Sequence, residues 1–321
     1  MEVYFDNSAT TRVLDSVRDV VVKVMTEDYG NPSAKHRKGM EAEQYVRQAA
    51  SRIAKTLKVK DKEILFTSGG TESNNMALIG TAMANQRAGK HIISTRIEHA
   101  SVYNPLAFLE QQGFEVTYLS VDSKGHISLE ELEASIRPDT ILVSVMYVNN
   151  EVGAIEPIEE IASLVHGRNP AILLHVDAIQ AYGKLVIHPK KQGIDLLSVS
   201  AHKFHGPKGV GFVFIDGRVK IHPLLYGGGQ QKDLRSGTEN VPGIAGLGVA
   251  AEEMYTGHRE KMEHITSLKD HMIDRMAGLE GVTVNSLKGN LSAPQVVSVS
   301  FAGVRSEVLL HALEDKGIYV S

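Results

Sequence analysis

The chain has 321 residues, 42% of them apolar and 22% charged, and a net charge of −4. That composition supports a sizeable core and excludes disorder as the dominant state. It also lacks the basic excess of a nonspecific nucleic-acid binder, so no direct nucleic-acid partner is expected. There is no cysteine, which excludes disulfides, thiolate-ligated zinc, iron–sulfur ligation and any thiol nucleophile from these residues. No metal site is expected. The longest apolar run, around Pro242 to Ala251, is too short to span a bilayer. The N-terminus carries Glu2 and Asp6 and shows no cleavable signal pattern. The cytoplasm is therefore the expected compartment, and no membrane partner is expected.

Taken in chain order, Val13, Val17, Val20, Val21 and Val24 share one face of a first amphipathic helix. The turn cluster Tyr29-Gly30-Asn31-Pro32-Ser33 ends it. Val46, Ala49, Ala50, Ile53 and Leu57 share one face of a second helix. Strands are then expected at Ile64–Thr67, His91–Thr95, Val116–Leu119, Ile141–Tyr147, Ile172–Val176 and Leu196–Ser200. Helical patterns begin between them near Glu72, Val102, Leu129 and Pro157. Such alternation predicts a largely parallel sheet between helices, and the nearly continuous apolar strands fit burial on both faces. Gly209–Ile215 is expected to pair antiparallel in the same sheet. A long helical pattern then runs from about Gly243 to Leu279. The remainder reads strand (Val282–Val284), strand (Val296–Phe301), helix (Glu307–Lys316), strand (Ile318–Val320). No repeat or low-complexity linker interrupts this order.

The most informative stretch is Ser200-Ala201-His202-Lys203, just after a buried strand. A partly desolvated lysine forms Schiff bases, and a neighbouring serine and histidine can both donate to a phosphate. Taken alone, it is also compatible with a solvated loop lysine. Asp177 ends an apolar strand and Gln180 follows three residues on. An acid at a strand's carboxyl end can pair with a cationic ring nitrogen, although a helix-capping aspartate is the plainer alternative. Ser68-Gly69-Gly70-Thr71 opens a helix after a strand and can cradle an anion, without the spacing of a Walker or dinucleotide loop. His99 follows its own strand and could stack on a flat ring and move protons, or simply cap a helix. Asn149-Asn150-Glu151-Val152-Gly153 follows another strand and also reads as a turn. What joins these is topology: each group follows a different strand, and parallel strands deliver all their loops to one edge.

With those residues in place, the sequence resembles the class V aminotransferase group of pyridoxal-phosphate enzymes, and within it the cysteine desulfurases. The resemblance runs from Tyr4–Thr11 through Asn31-Pro32-Ser33…His36, Ser68–Asn75, Glu98-His99, Asn149–Gly153, His175–Gln180 and Ser200–Lys203 to Gly227–Gln230 and Arg235–Asn240. It implies a fold-type-I transferase: α/β, with a mostly parallel seven-stranded sheet in a large domain (residues 14–250) and a smaller α+β domain (1–13 and 251–321). It also implies pyridoxal 5'-phosphate as cofactor. Lys203 would bond the cofactor and, with His99, carry the catalysis. Asp177 would hold the ring nitrogen, Gln180 the ring hydroxyl, and His99 would stack on the ring. Gly70, Thr71, Ser200 and His202 would hold the phosphate, and Asn150 would contact ring and substrate. Thr238 would reach the phosphate of a neighbouring subunit, which implies a homodimer.

The implied activity takes sulfur from L-cysteine, giving L-alanine and a persulfide for an iron–sulfur scaffold or tRNA-thiolation acceptor protein. The family's nucleophilic cysteine is absent, and the sequence stops at Ser321 directly after a strand pattern. The expectation is a shortened chain with an incomplete small domain, impaired in forming a persulfide. Alternatives on the same scaffold are a class V aminotransferase, a selenocysteine lyase, a β-eliminating lyase, or a noncatalytic cofactor-binding protein.

Overall fold

The computed structural model describes residues 2–321. After a short strand, β1 (Val3–Tyr4), come the two helices that the valine and alanine spacing predicts, α1 (Asp15–Thr26) and α2 (Arg37–Leu57). Their apolar stripes bury Val17 and Val24 from α1 and Ala49, Ile53 and Leu57 from α2.

The strand–helix alternation follows. β2 (Ile64–Thr67) leads into α3 (Gly70–Asn75), which passes through a π-helical turn at Met76–Gly80 into α4 (Thr81–Asn85). Next come β3 (His91–Thr95), α5 (Ala100–Gln111), β4 (Glu115–Leu119), α6 (Leu129–Ser135) and β5 (Thr140–Met146). The unit closes with α7 (Ile158–Arg168), β6 (Leu173–Asp177), α8 (Pro189–Gln192), β7 (Leu196–Ser200) and β8 (Gly211–Ile215). The seven strands form one sheet in the order β2-β8-β7-β6-β5-β3-β4. Only β8 runs against its neighbours, pairing antiparallel with both β2 and β7.

Each strand sends alternate residues to opposite faces, and two cores result. Ile93, Val143, Leu174 and Leu197 point to the side covered by α1, α2, α7 and α9 (Val241–Tyr255). Ile92, Leu142, Leu173 and Leu196 point to the side covered by α5 and the π-helical turn. At roughly 1.5–3 kcal/mol for each fully buried aliphatic side chain, these two layers are what fixes the register of the strands.

The sequence pattern from Gly243 to Leu279 predicts one helix, but the structure has two. α9 stops at Tyr255 and α10 (His258–Ala277) restarts after Gly257, whose φ of +62° is left-handed and breaks the helix. Beyond it lie β9 (Val282–Val284), β10 (Val299–Phe301), α11 (Ser306–Glu314) and β11 (Ile318–Tyr319). β10 begins three residues later than expected, because Val296 is buried in the core beside Gly153 rather than paired with β9. β11 pairs in parallel with β1, so the two ends of the described chain meet. Among the described residues, no helix is long and apolar enough to cross a membrane and no cluster of side chains could hold a metal ion.

Candidate active site

β2, β3, β5, β6 and β7 all point the same way, so the loops after them share one edge of the sheet. A cavity of about 450 Å³ opens there. Gly70 and Thr71 line it from the loop after β2, His99 from the loop after β3, and Asn150 from the loop after β5. Asp177 and Gln180 enter at the end of β6, and Ser200, His202 and Lys203 at the end of β7. Ser321 lines the same cavity. Thr238 does not line it and is exposed on the surface.

Lys203 ends the short 3-10 turn Ala201–Lys203 that follows β7. Its Nζ donates to the carbonyls of Ser8 and, at 2.8 Å, Ala9. Burial pulls the amine below its ordinary pKa, and the charges of Asp6 and Asp177 oppose that shift. The N-terminal segment straps the turn from above. Thr11 donates its N–H and its hydroxyl to the His202 carbonyl, each at 2.9 Å, and accepts the His205 N–H at 2.7 Å. The Tyr4–Thr11 motif thereby holds the backbone around the lysine.

Asp177, the last residue of β6, is 4% exposed. One carboxylate oxygen accepts the Ile179 N–H at 3.0 Å and the other accepts Asn74 Nδ2 at 2.8 Å. Burial pushes its pKa up, while those two donors and the nearby His99 and Lys203 pull it back. Two residues back along the strand, His175 bridges Ser144 and Ser198 at 2.9 Å on each side. Burial lowers that imidazole to about 3, so it stays neutral beneath the acid.

His99 caps α5, its Nδ1 accepting the Ser101 N–H at 3.1 Å. The preceding residue anchors it: Glu98 Oε1 accepts both the Thr95 hydroxyl and the Met146 N–H at 2.9 Å. Burial, and secondarily the Asp177 charge, push the Glu98 carboxyl up to about 8. Asn74 donates from the same amide nitrogen to Asp177 and, at 2.9 Å, to Ser101 Oγ. Glu98, Asn74 and Ser101 carry no chemical signal in the sequence, although all three fall inside or beside the Ser68–Asn75 and Glu98-His99 motifs.

In the loop after β2, a Cβ on Gly70 would sit 2.2 Å from Ile179 Cδ1, so a larger residue there would have to displace the Ile179 side chain. Glu72 ties the loop down, accepting the Ser68 N–H at 2.7 Å and pairing with Arg235 at 2.8 Å. His202 is held by Thr10 Oγ1 at 3.2 Å. Burial, then the charge of Lys203, lowers its imidazole to about 4 and keeps it neutral. The donor set fits pyridoxal phosphate: an amine, a buried acid, and a glycine-lined loop with hydroxyls and a neutral imidazole. Gln180 adds a buried Oε1 with no partner, while its Nε2 donates to the Ser8 carbonyl at 2.9 Å. Asn150 Nδ2 donates to Glu151 at 2.6 Å.

The family model described as "Aminotransferase class-V" matches residues 3–321. A protein of Dictyoglomus turgidum named "Cysteine desulfurase IscS" is 43% identical over 321 residues, covering 100% of this chain and 81% of its own. A solved structure titled "NIFS-LIKE PROTEIN" superposes with a TM-score of 0.97 at 43% identity, over 100% of this chain and 87% of its own. Another, titled "SspA in complex with cysteine", gives a TM-score of 0.86 at 34% identity, over 100% and 89%.

Proposed function

This chain belongs to the class V aminotransferase family, and from that premise we propose that it is a cysteine desulfurase whose cofactor is pyridoxal 5'-phosphate. The observation that carries the reading is the meeting of Asp177 and Lys203 in one cavity with the Gly70–Thr71 loop, from three different strands. The substrate is L-cysteine, and the products are L-alanine and a persulfide on an acceptor thiol. The balance is simple: the carbon–sulfur bond of cysteine breaks, a sulfur–sulfur bond forms, and the methyl group of alanine gains the proton that the acceptor thiol gives up. The 321 residues contain no cysteine, so the accepting thiol is not among them.

When bound, the cofactor supplies an electron sink that stabilises negative charge on the substrate's Cα. The residues around it then divide the work. Lys203, with its amine pulled below the ordinary range by burial, would hold the cofactor and, as a free amine, would be the base for the substrate's Cα proton. The buried carboxylate of Asp177 would face the ring nitrogen and favour its protonated form. Gln180 would pair with the ring hydroxyl, and His99 would pack against the ring. Gly70, Thr71, Ser200 and neutral His202 would hold the phosphate, and Asn150 would contact ring and substrate. Residues 14–250 form the cofactor-binding unit, with 1–13 and 251–321 as the smaller one.

Thr238, exposed and away from its own cavity, serves the phosphate site of a second copy, so the working form is a homodimer. Its sulfur goes to an iron–sulfur scaffold or a tRNA-thiolation protein in the cytoplasm.

Borohydride reduction and product analysis test this reading together. Reduction fixes the cofactor on Lys203, and Lys203→Ala abolishes the adduct. An adduct that survives in the variant moves the anchor elsewhere, with Lys208 the first place to look. With L-cysteine and an added small dithiol, released sulfide is accompanied by alanine. Pyruvate in place of alanine means β-elimination and overturns the desulfurase assignment.

A further inference from the structure

Asp177 and His99 are joined by an unbroken chain of hydrogen bonds through two side chains that have no assigned role. Asn74 is fully buried and its amide nitrogen spends both hydrogens, one on Asp177 Oδ2 at 2.8 Å and one on Ser101 Oγ at 2.9 Å. The reverse placement of that amide would set its oxygen against the carboxylate, which is why Nδ2 faces Asp177. Because Ser101 Oγ already accepts from Asn74, its own hydrogen is free to point along the remaining short contact, 2.8 Å to His99 Nδ1. The Ser101 backbone N–H also reaches that nitrogen, at 3.1 Å, and a backbone N–H can only donate. Nδ1 of His99 is therefore a lone-pair nitrogen facing two donors. The neutral ring must carry its hydrogen on Nε2, which has no partner within the chain among the described residues.

We propose that Asn74 and Ser101 are positioning residues that lock His99 in its Nε2–H form, so that the imidazole meets substrate and cofactor as a hydrogen-bond donor and not as a base. This deepens the desulfurase reading and rests on it for the identity of what the donor meets. Taking up a proton at Nε2 is closed to this form, and taking one at Nδ1 would place N–H against N–H at Ser101 and break the cap of α5. A lone-pair atom brought to Nε2, such as the thiolate sulfur of the substrate, would be held by donation. The proton transfers that the sequence suggests for His99 are thereby replaced by hydrogen-bond donation from Nε2. The same chain makes the ring acid and the stacking imidazole one unit, since Asn74 can satisfy Asp177 only in the orientation that also turns the Ser101 hydroxyl toward His99.

The test reads the ring nitrogens directly and does not depend on turnover. The full chain is labelled with 15N-histidine, and two-bond proton–nitrogen correlations are recorded with and without cofactor, roughly two units above the ordinary imidazole pKa. The His99 signals are those lost in His99→Gln. The expected pattern is a pyridine-like Nδ1 and a pyrrole-like Nε2, in both states. The reverse pattern, or an averaged pair, overturns the proposal. Ser101→Ala and Asn74→Leu should each raise the population of the other tautomer, by roughly two- to tenfold, the range expected for loss of one neutral hydrogen bond. Ser101→Thr, which keeps the hydroxyl, should restore the native pattern. Native shifts in both the Ala and Leu variants would overturn the positioning role of these side chains, leaving only the backbone N–H. A failure of the desulfurase reading would appear separately, in the borohydride and alanine measurements, with the nitrogen pattern intact.

Discussion

Lys184 Nζ donates to the backbone carbonyl of Lys203 at 2.5 Å, so one buried lysine holds the main chain of another. Lys184 is 8% exposed, and burial, assisted by the charge of Lys203, lowers its amine from 10.5 to about 7. It does not line the cavity, so it belongs to the support under Lys203.

That depressed pKa has a stability consequence of definite sign. Between about pH 7 and 10.5 the unfolded chain binds a proton on Lys184 that the folded chain does not. Stability therefore rises with pH across this window, by on the order of a few kcal/mol in the limit. Below it, the folded state carries the full cost of a buried ammonium. Lys184→Met should flatten the rise in a series of urea midpoints, while leaving Lys203 less firmly placed. A Met variant with the native slope would show that another group causes the pH dependence.

Asp177→Asn addresses the ring acid. The amide cannot keep the ring nitrogen protonated, so the expected outcome is a fall of two or more decades in Cα-proton exchange of bound amino acid, at about 1.4 kcal/mol per decade. The cofactor should still bind through the phosphate site proposed at Gly70, Thr71, Ser200 and His202. Exchange of the substrate proton into deuterated water, followed by NMR, measures this. Native exchange rates in the variant would remove Asp177 from the ring.

Subunit complementation addresses the second copy. Chains carrying Lys203→Ala have an intact Thr238, and chains carrying Thr238→Ala have an intact Lys203. In a mixed dimer one of the two sites regains both groups, so mixing should raise Cα-proton exchange of bound amino acid above that of either parent. Sedimentation that finds only monomers holding cofactor tightly would defeat the shared-site reading.

The strands were legible in the sequence because apolar runs are local, and their shared edge because parallel strands end on the same side. Ile64–Thr67, His91–Thr95 and Leu196–Ser200 are apolar runs bounded by polar turns, and they form strands at those limits. Groups that follow different parallel strands had to converge, and Gly70, His99, Asp177 and Lys203 do line one cavity. What local pattern does not carry is who touches whom across the edge. Asn74 and Asp177 are 103 positions apart, and Lys203 and Ser8 are 195 apart. Glu98 reads as one more charged loop residue, yet the fold closes over it and makes it an anchor for the His99 loop. The break at Gly257 was hidden for a related reason. The helical pattern continues through it, and only the left-handed φ shows that the chain turns there.

The absence of cysteine sets the last expectation. Every residue assigned to the cofactor lies before position 241, and all but Thr238 line one cavity. The chain should therefore bind the cofactor and take up L-cysteine, with a change in the cofactor's absorbance on mixing. It should not acquire a protein-bound persulfide, because it contains no thiol to carry one. Water or a dissolved thiol would have to replace a tethered nucleophile and would forgo a proximity advantage worth up to about 7–11 kcal/mol. Alanine should accordingly form only very slowly without an added thiol, and supplying a cysteine-bearing acceptor protein that docks at the cavity should raise the rate. Mass spectrometry of the intact chain after reaction with cysteine, alongside an alanine time course, measures both. A mass gain of one sulfur atom, or rapid alanine production by these 321 residues alone, would show that sulfur leaves by a route needing no cysteine thiol.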